Sequence, residues 1–193
     1  MAKVLLINPS YQPSYGGAKA SIVNPIHPTL GLATIGATAK QKGHEVELFD
    51  STYYDVSYGV NSEGLKAERL NVVPFDMDAR GIHMKSTDWS KDLTDQVNRF
   101  SPDLIAISST EDMWELGIKT LEEIREYKMK NNTPVVAGGV FPTFAPEICS
   151  KYDLIDMVCV GEGENALIDL CKKIEDKEDY SDVTNLWIMK DGK

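Results

Sequence analysis

Leu104-Ile105-Ala106-Ile107-Ser108-Ser109-Thr110, then a helical pattern from Asp112 to Lys130, then Val135-Val136-Ala137-Gly138-Gly139, is the stretch that decides the fold. Both apolar runs are short and bounded by small or turn-forming residues, which marks them as strands buried on two faces. Between them Trp114, Ile118, Leu121 and Ile124 recur every three or four residues, the spacing of one helix face. A strand, a crossover helix and a second strand are the unit of a parallel sheet with right-handed connections.

Working outward, the same alternation continues in both directions. Val4–Ile7, Glu45–Phe49 and Met157–Val160 read as further strands. Pro28 to Lys42 places Leu32, Ile35 and Ala39 on one helical face and ends at Gly43, a suitable C-terminal cap. Asp88 to Phe100 turns Leu93, Val97 and Phe100 inward, and Glu164 to Ile174 does the same with Ala166, Leu167, Leu170, Cys171 and Ile174. Five near-continuous apolar strands separated by helices predict an α/β fold: a doubly wound parallel sheet of the flavodoxin-like (Rossmann-like) order 2-1-3-4-5. Leu186-Trp187-Ile188-Met189 adds an extra C-terminal strand.

Two segments escape the alternation. Ser10 to His27 is a long loop rich in Tyr, Pro, Gly and Ser, and Ser51 to Asp88 is an insertion without sustained period, in which some local helix or hairpin is expected. Residues 1–193 are read as one domain with an insertion at about 51–88, and residues 184–193 as the start of a linker or an extra strand.

Composition narrows the function classes. A chain of 193 residues with 42% hydrophobic content can bury one sizeable core. Twenty Lys and Arg against thirty Asp and Glu give a net charge of −10, which argues against nucleic acid and anionic membranes as partners, since both recruit basic patches. No apolar run reaches the roughly 18 residues of a membrane span. The N-terminal run ends at Pro9 and has the pattern of a strand rather than a signal peptide, so a soluble, cytoplasmic protein is expected. Cys149, Cys159 and Cys171 fit neither a disulfide framework nor close C-x2-C pairs, and are read as buried or indifferent thiols.

In an open parallel sheet, ligands bind beyond the carboxyl ends of the strands. The turns there read Asn8-Pro9-Ser10-Tyr11, Ser108-Ser109-Thr110, Gly138-Gly139-Val140-Phe141-Pro142 and Gly161-Glu162-Gly163-Glu164. Gly138 and Gly139 either make the turn or let a flat ligand approach the backbone. The three hydroxyls of Ser108, Ser109 and Thr110 serve a ligand or cap the following helix, for which one would suffice. Gly161-Glu162-Gly163-Glu164 is a poor phosphate cradle, because its carboxylates repel anions. Neither G-x-G-x-x-G after the first strand nor G-x-x-x-x-G-K-[ST] occurs, so Asp50 is read as a turn or cap residue. His27, His44 and His83 form no triad or metal spacing; His44 is read as solvated, while His27 and His83 fall in the irregular segments.

Taken together, Ile105-Ala106-Ile107-Ser108-Ser109-Thr110, Val135-Val136-Ala137-Gly138-Gly139-Val140-Phe141-Pro142 and Met157-Val158-Cys159-Val160-Gly161-Glu162-Gly163-Glu164, with Asn8-Pro9 and Pro28-Thr29-Leu30-Gly31-Leu32, resemble the N-terminal cobalamin-binding domain of cobalamin-dependent radical S-adenosylmethionine enzymes. The resemblance implies that the cofactor's nucleotide tail enters between the first and third strands. Ser108, Thr110, Gly138, Gly139, Gly161 and Gly163 then line its passage, and Asn8, Pro9, Ser10, Tyr11, Ser109, Val140, Phe141, Pro142 and Glu162 complete the cofactor-binding set. A bulky residue at Gly139 is accordingly expected to block the tail and leave the fold intact. Where mutases carry Asp-x-His-x-x-Gly with a cobalt-ligating histidine, this chain has Asn8-Pro9-Ser10-Tyr11-Gln12-Pro13, so the resemblance implies cobalt without that lower ligand. It further implies a radical domain, in cis or as a partner chain, that holds S-adenosylmethionine and a 4Fe-4S cluster for methyl transfer or related chemistry. No C-x3-C-x2-C for such a cluster occurs here, so this chain reads as a cofactor module with no catalytic residue of its own. The alternative is a flavodoxin-like flavin or nucleotide binder or a signalling receiver, though Asn8 and Ser108 stand where a receiver needs acids.

Overall fold

The computed structural model describes residues 1–10, 20–21, 30–54, 75–76, 79, 81, 83 and 85–189. Tyr11, His27, Pro28 and most of the 51–88 insertion lie outside them. The strands are β1 (Lys3–Asn8), β2 (Ala20–Ser21), β3 (Glu45–Asp50), β4 (Phe75–Asp76), β5 (Leu104–Ser108), β6 (Val135–Gly138), β7 (Met157–Cys159) and β8 (Leu186–Ile188). The helices are α1 (Leu30–Gln41), α2 (Trp89–Phe100), α3 (Glu111–Glu123), α4 (Arg125–Asn131), α5 (Val140–Phe144), α6 (Pro146–Cys149) and α7 (Glu164–Asp176).

The main sheet runs β3-β1-β5-β6-β7-β8. Its first five strands are parallel and reproduce the order 2-1-3-4-5; β8 returns antiparallel to β7, pairing Val158 with Trp187. The apolar runs are continuous because both faces are covered. Along β1, Leu5 and Ile7 join a core with α2 and α3, while Val4 and Leu6 join a second core with α1 and α7. At the open edge, β3 alternates Glu45 and Glu47 with apolar residues and buries only Phe49, a composition that discourages edge pairing.

The helix stops are physical as well as positional. Gly43, at φ +90°, caps α1, with its amide on the Lys40 carbonyl and that of His44 on the Ala39 carbonyl. Asp88 caps α2 by accepting the Lys91 amide.

The single helix expected over Asp112–Lys130 is instead two, α3 and α4, divided at Ile124. The Ile124 amide turns back to the Leu121 carbonyl and the side chain is driven into the core. The altered course brings the Lys128 ammonium 2.9 Å from Asp156, whose carboxylate also accepts the Val135 amide. No Gly or Pro marks this break; a tertiary ion pair and a core contact set it. A second correction concerns His44. Its side chain is only 8% exposed, and Nδ1 lies 2.8 Å from Glu175 and 3.3 Å from the Ala2 amide.

Candidate functional site

The carboxyl ends of β1, β5, β6 and β7 open into a cleft on the face covered by α1 and α7. Its volume is about 70 Å³, a narrow slot beside the roughly 300–1,000 Å³ of ordinary ligand pockets. Leu6, Ala106 and Val136 form the floor, Leu32 and Ile35 of α1 one wall, and Leu167 and Leu170 of α7 the other. Cys159 and Leu186 close one side, and Ser108, Gly138, Gly139, Gly161 and Gly163 line the mouth. Among the described residues no charged side chain lines it.

Strand alternation explains why these side chains meet. Val136 faces the α1–α7 core and Ala137 the opposite one, so Gly138 again faces the cleft. A Cβ at Gly138 would lie in ordinary van der Waals contact, 3.7 Å from Cys159 Cβ, so a side chain is accommodated there without strain. Gly139 differs. It holds φ +97°, and a Cβ there would stand 2.8 Å from Ser108 Oγ and 2.9 Å from the Ser109 backbone. The expectation that a bulky residue at Gly139 spares the fold is therefore corrected: that position joins two loops, and Gly138 is the one that faces the cavity.

The three hydroxyls divide their work. Ser109 is a strut: its amide donates to the Gly138 carbonyl, its own carbonyl accepts the Phe141 amide, and its Oγ donates to the Thr110 carbonyl. Thr110 is the N-cap residue of α3 but makes no side-chain capping bond. Ser108 Oγ faces the mouth with no hydrogen-bond partner among the described residues. Capping therefore accounts for none of them.

The remaining sequence-predicted residues sit on the same sheet edge outside the cleft. Asn8 Nδ2 donates to Asp50 Oδ1, which also accepts the Thr52 amide and hydroxyl, so Asp50 is a turn residue tying β1 to β3. The Ser10 amide donates to Ser51 Oγ, and Pro9 packs beneath Gly117 of α3. Phe141 lies against Trp114, with ring centroids 5.2 Å apart, and Pro142 is buried. Val140 and Phe144 leave their apolar side chains 61% and 84% exposed beside the Gly139 turn. Glu162 is exposed, and its carbonyl accepts Asn185 Nδ2, while the Gly161 amide is donated to Thr143 Oγ1. Tyr11 is outside the described residues.

Sequence reasoning missed the walls. Leu32, Ile35, Leu167 and Leu170 read as a core-facing stripe, which they are, and nothing local shows that the same stripe also borders a cleft. Cys159 was legible only as a buried thiol. Burial, reinforced by Glu164 and Glu162, pushes that thiol up to about 11, so it faces the cleft as a neutral, weakly polar group.

A family model described as the B12 binding domain matches residues 20–170. Among solved structures, the radical S-adenosylmethionine methyltransferase TsrM from Kitasatospora setae, with tryptophan substrate and a SAM analog bound, superposes with a TM-score of 0.68 at 20% identity over 99% of this chain. The same enzyme with cobalamin and a [4Fe-4S] cluster bound gives 0.67 at 20% identity over 98%. The cobalamin-dependent S-adenosylmethionine radical enzyme OxsB, with aqua-cobalamin and S-adenosylmethionine, gives 0.63 at 18% identity over 99%. This chain spans 29%, 27% and 21% of those three chains. No curated protein matches in sequence.

Proposed function

Since this chain belongs to the B12-binding domain family, we propose that it is the cobalamin-holding module of a radical S-adenosylmethionine enzyme and that the α1–α7 cleft receives the cofactor's nucleotide tail. The observation that carries this reading is the apolar cleft at the carboxyl sheet edge, with the Ser108 hydroxyl and glycine turns at its mouth. Gly138 leaves the entrance open, and Gly139 keeps the Ser108 and Gly138 loops in contact so that the entrance holds its shape. Leu32, Ile35, Leu167 and Leu170 exclude water from a seated ring, and Ser108 Oγ meets one polar atom of it.

When bound, cobalamin supplies a cobalt centre able to carry a methyl group, and the protein contributes position and electronic setting. The turn after β1 offers Asn8, Pro9 and Ser10 in place of a ligating histidine; Asn8 Nδ2 donates to Asp50, and the Ser10 backbone is tied to the Ser51 hydroxyl. This turn would therefore supply no histidine to a bound cobalt. The radical half of the chemistry belongs to a further domain, in cis or as a partner chain, and methyl transfer is the reaction class that TsrM favours by analogy.

Titration of the purified protein with hydroxocobalamin, read by its visible spectrum with FMN in parallel, tests the reading. Retained corrinoid whose spectrum shows the base displaced from cobalt is expected. Failure to retain any corrinoid at tens of micromolar, or preference for FMN, would overturn it.

A further inference from the structure

β8 is three residues long, pairs with β7 alone and leaves each of its side chains at least partly exposed. A short edge strand of this kind sits at the low end of local opening free energies, well below global unfolding. Yet it borders the cleft. Leu186, its first residue, stands opposite Cys159 in the pairing and forms part of the lining.

Asn185, immediately before β8, ties the strand to the glycine turn at the cleft mouth. Gly161, Glu162 and Gly163 belong to neither β7 nor α7, so other segments fix them. Thr143 Oγ1 accepts the Gly161 amide from one side. From the other, Asn185 Nδ2 donates to the Glu162 carbonyl at 3.1 Å. The Asn185 carbonyl also accepts the Val160 amide at 2.8 Å, where β7 gives way to the turn. The Cys159 thiol approaches the same Glu162 carbonyl at 4.0 Å. Asn185 makes its bonds from φ +69°, a left-handed conformation that asparagine adopts more readily than most residues with a Cβ. At its far end β8 is fastened by the Met189 amide on the Asp156 carbonyl. Opening β8 therefore removes a wall residue of the cleft and a support of its glycine turn together.

We propose that β8 is a ligand-linked latch: docked through Asn185 and Leu186 it shapes the cleft mouth, and a seated ligand holds it docked. This rests on the reading of the cleft as the corrinoid site, with Asn185 as a positioning residue that acts through the turn. The effect is reciprocal by linkage. Docked β8 raises affinity for the ligand, and the ligand raises the ratio of docked to undocked β8 by the same factor.

Hydrogen–deuterium exchange of the full chain, with and without hydroxocobalamin, reads the latch, and absorbance titration reads the affinity. Asn185→Gly keeps the left-handed conformation and removes the side chain, whereas Asn185→Asp keeps the shape and turns an oxygen toward the Glu162 carbonyl. In the wild type, saturating hydroxocobalamin should slow exchange across residues 186–189 severalfold. Exchange in α4, whose Tyr127 packs against the opposite core, should stay the same. In both variants affinity should fall by about two- to fivefold, the worth of one partly solvated hydrogen bond. Their protection of residues 186–189 by ligand should shrink by a like factor, with melting curves close to that of the wild type. Corrinoid retained with no change of exchange in β8, or variants that bind as the wild type does, would overturn the latch and leave the cobalamin module standing. Lost affinity with undiminished protection would make Asn185 a local support only, and the latch would fall. A wild type that retains no corrinoid would overturn the cobalamin reading and the latch with it.

Discussion

Gly138→Leu puts the proposed site to its most direct test. The position ends β6 outside the left-handed region, and its absent Cβ would meet only Cys159 Cβ, at 3.7 Å. Strand alternation turns the new side chain toward the cleft with Val136. The isobutyl group fills an apolar mouth, so folding stability should be unchanged or rise by about 1 kcal/mol from partial burial. An aromatic ring system seated in the cleft hides roughly 150–250 Å², which at about 25 cal/mol per Å² corresponds to about 4–6 kcal/mol. Excluding it gives back part of that as recovered freedom, so the expected loss in corrinoid affinity is at least about a hundredfold. Equilibrium titration of wild type and variant with hydroxocobalamin, beside matched thermal melts, reads both quantities. Wild-type affinity in a variant that melts normally would refute the placement of the tail.

Three further outcomes follow from the same geometry. Gly139→Ala, forced to φ +97° and against the Ser109 backbone at 2.9 Å, should lose about 1–3 kcal/mol, a fall of roughly 2–4 °C in Tm for each kcal/mol; an unchanged Tm would show that the two loops yield freely. Asp156→Ala strands the nearly buried Lys128 ammonium and the Val135 amide together, a loss of about 2–4 kcal/mol in chemical denaturation, whereas Lys128→Met should cost much less. The hydrogen bonds and charge of Arg99 hold the Glu47 carboxyl below its usual 4.5. Its folded value being the lower, Glu47 stabilises the native state fully above pH 4.5 and loses that contribution as pH falls through the depressed value. Glu47→Gln should therefore flatten the acid limb of the stability profile by at most about 1 kcal/mol, since the pair is at the surface.

The fold was largely legible because its signals are local. Each strand is an apolar run of a few residues, and Gly43 and Asp88 punctuate helices through their own backbone and side-chain chemistry. The mouth of the site was legible for a related reason: parallel topology sends every strand's following turn to one edge, so Ser108, Gly138, Gly139, Gly161 and Gly163 converge whatever the details. The break at Ile124 and the burial of His44 were not, since each is decided by a partner far along the chain, Asp156 in one case and Glu175 in the other.

By itself the sequence determined the class of fold, the strand order, the edge at which the turns after the strands gather and the lack of a histidine in the turn after β1. These rest on period, turn chemistry and handedness, which act over a few residues or are imposed by chirality. Only the tertiary structure decided which of the two adjacent glycines faces a cavity and which braces a loop, since that depends on the Ser109 backbone lying within 2.9 Å of one of them. It also decided that the long loop and the insertion meet, with Ser21 paired to Phe75 and Ala20 to Asp76. And it showed that apolar side chains of α1 and α7 that join the core on that face also line a cleft at the carboxyl edge of the sheet. Packing distances of this kind are properties of two segments at once, and neither segment encodes them alone.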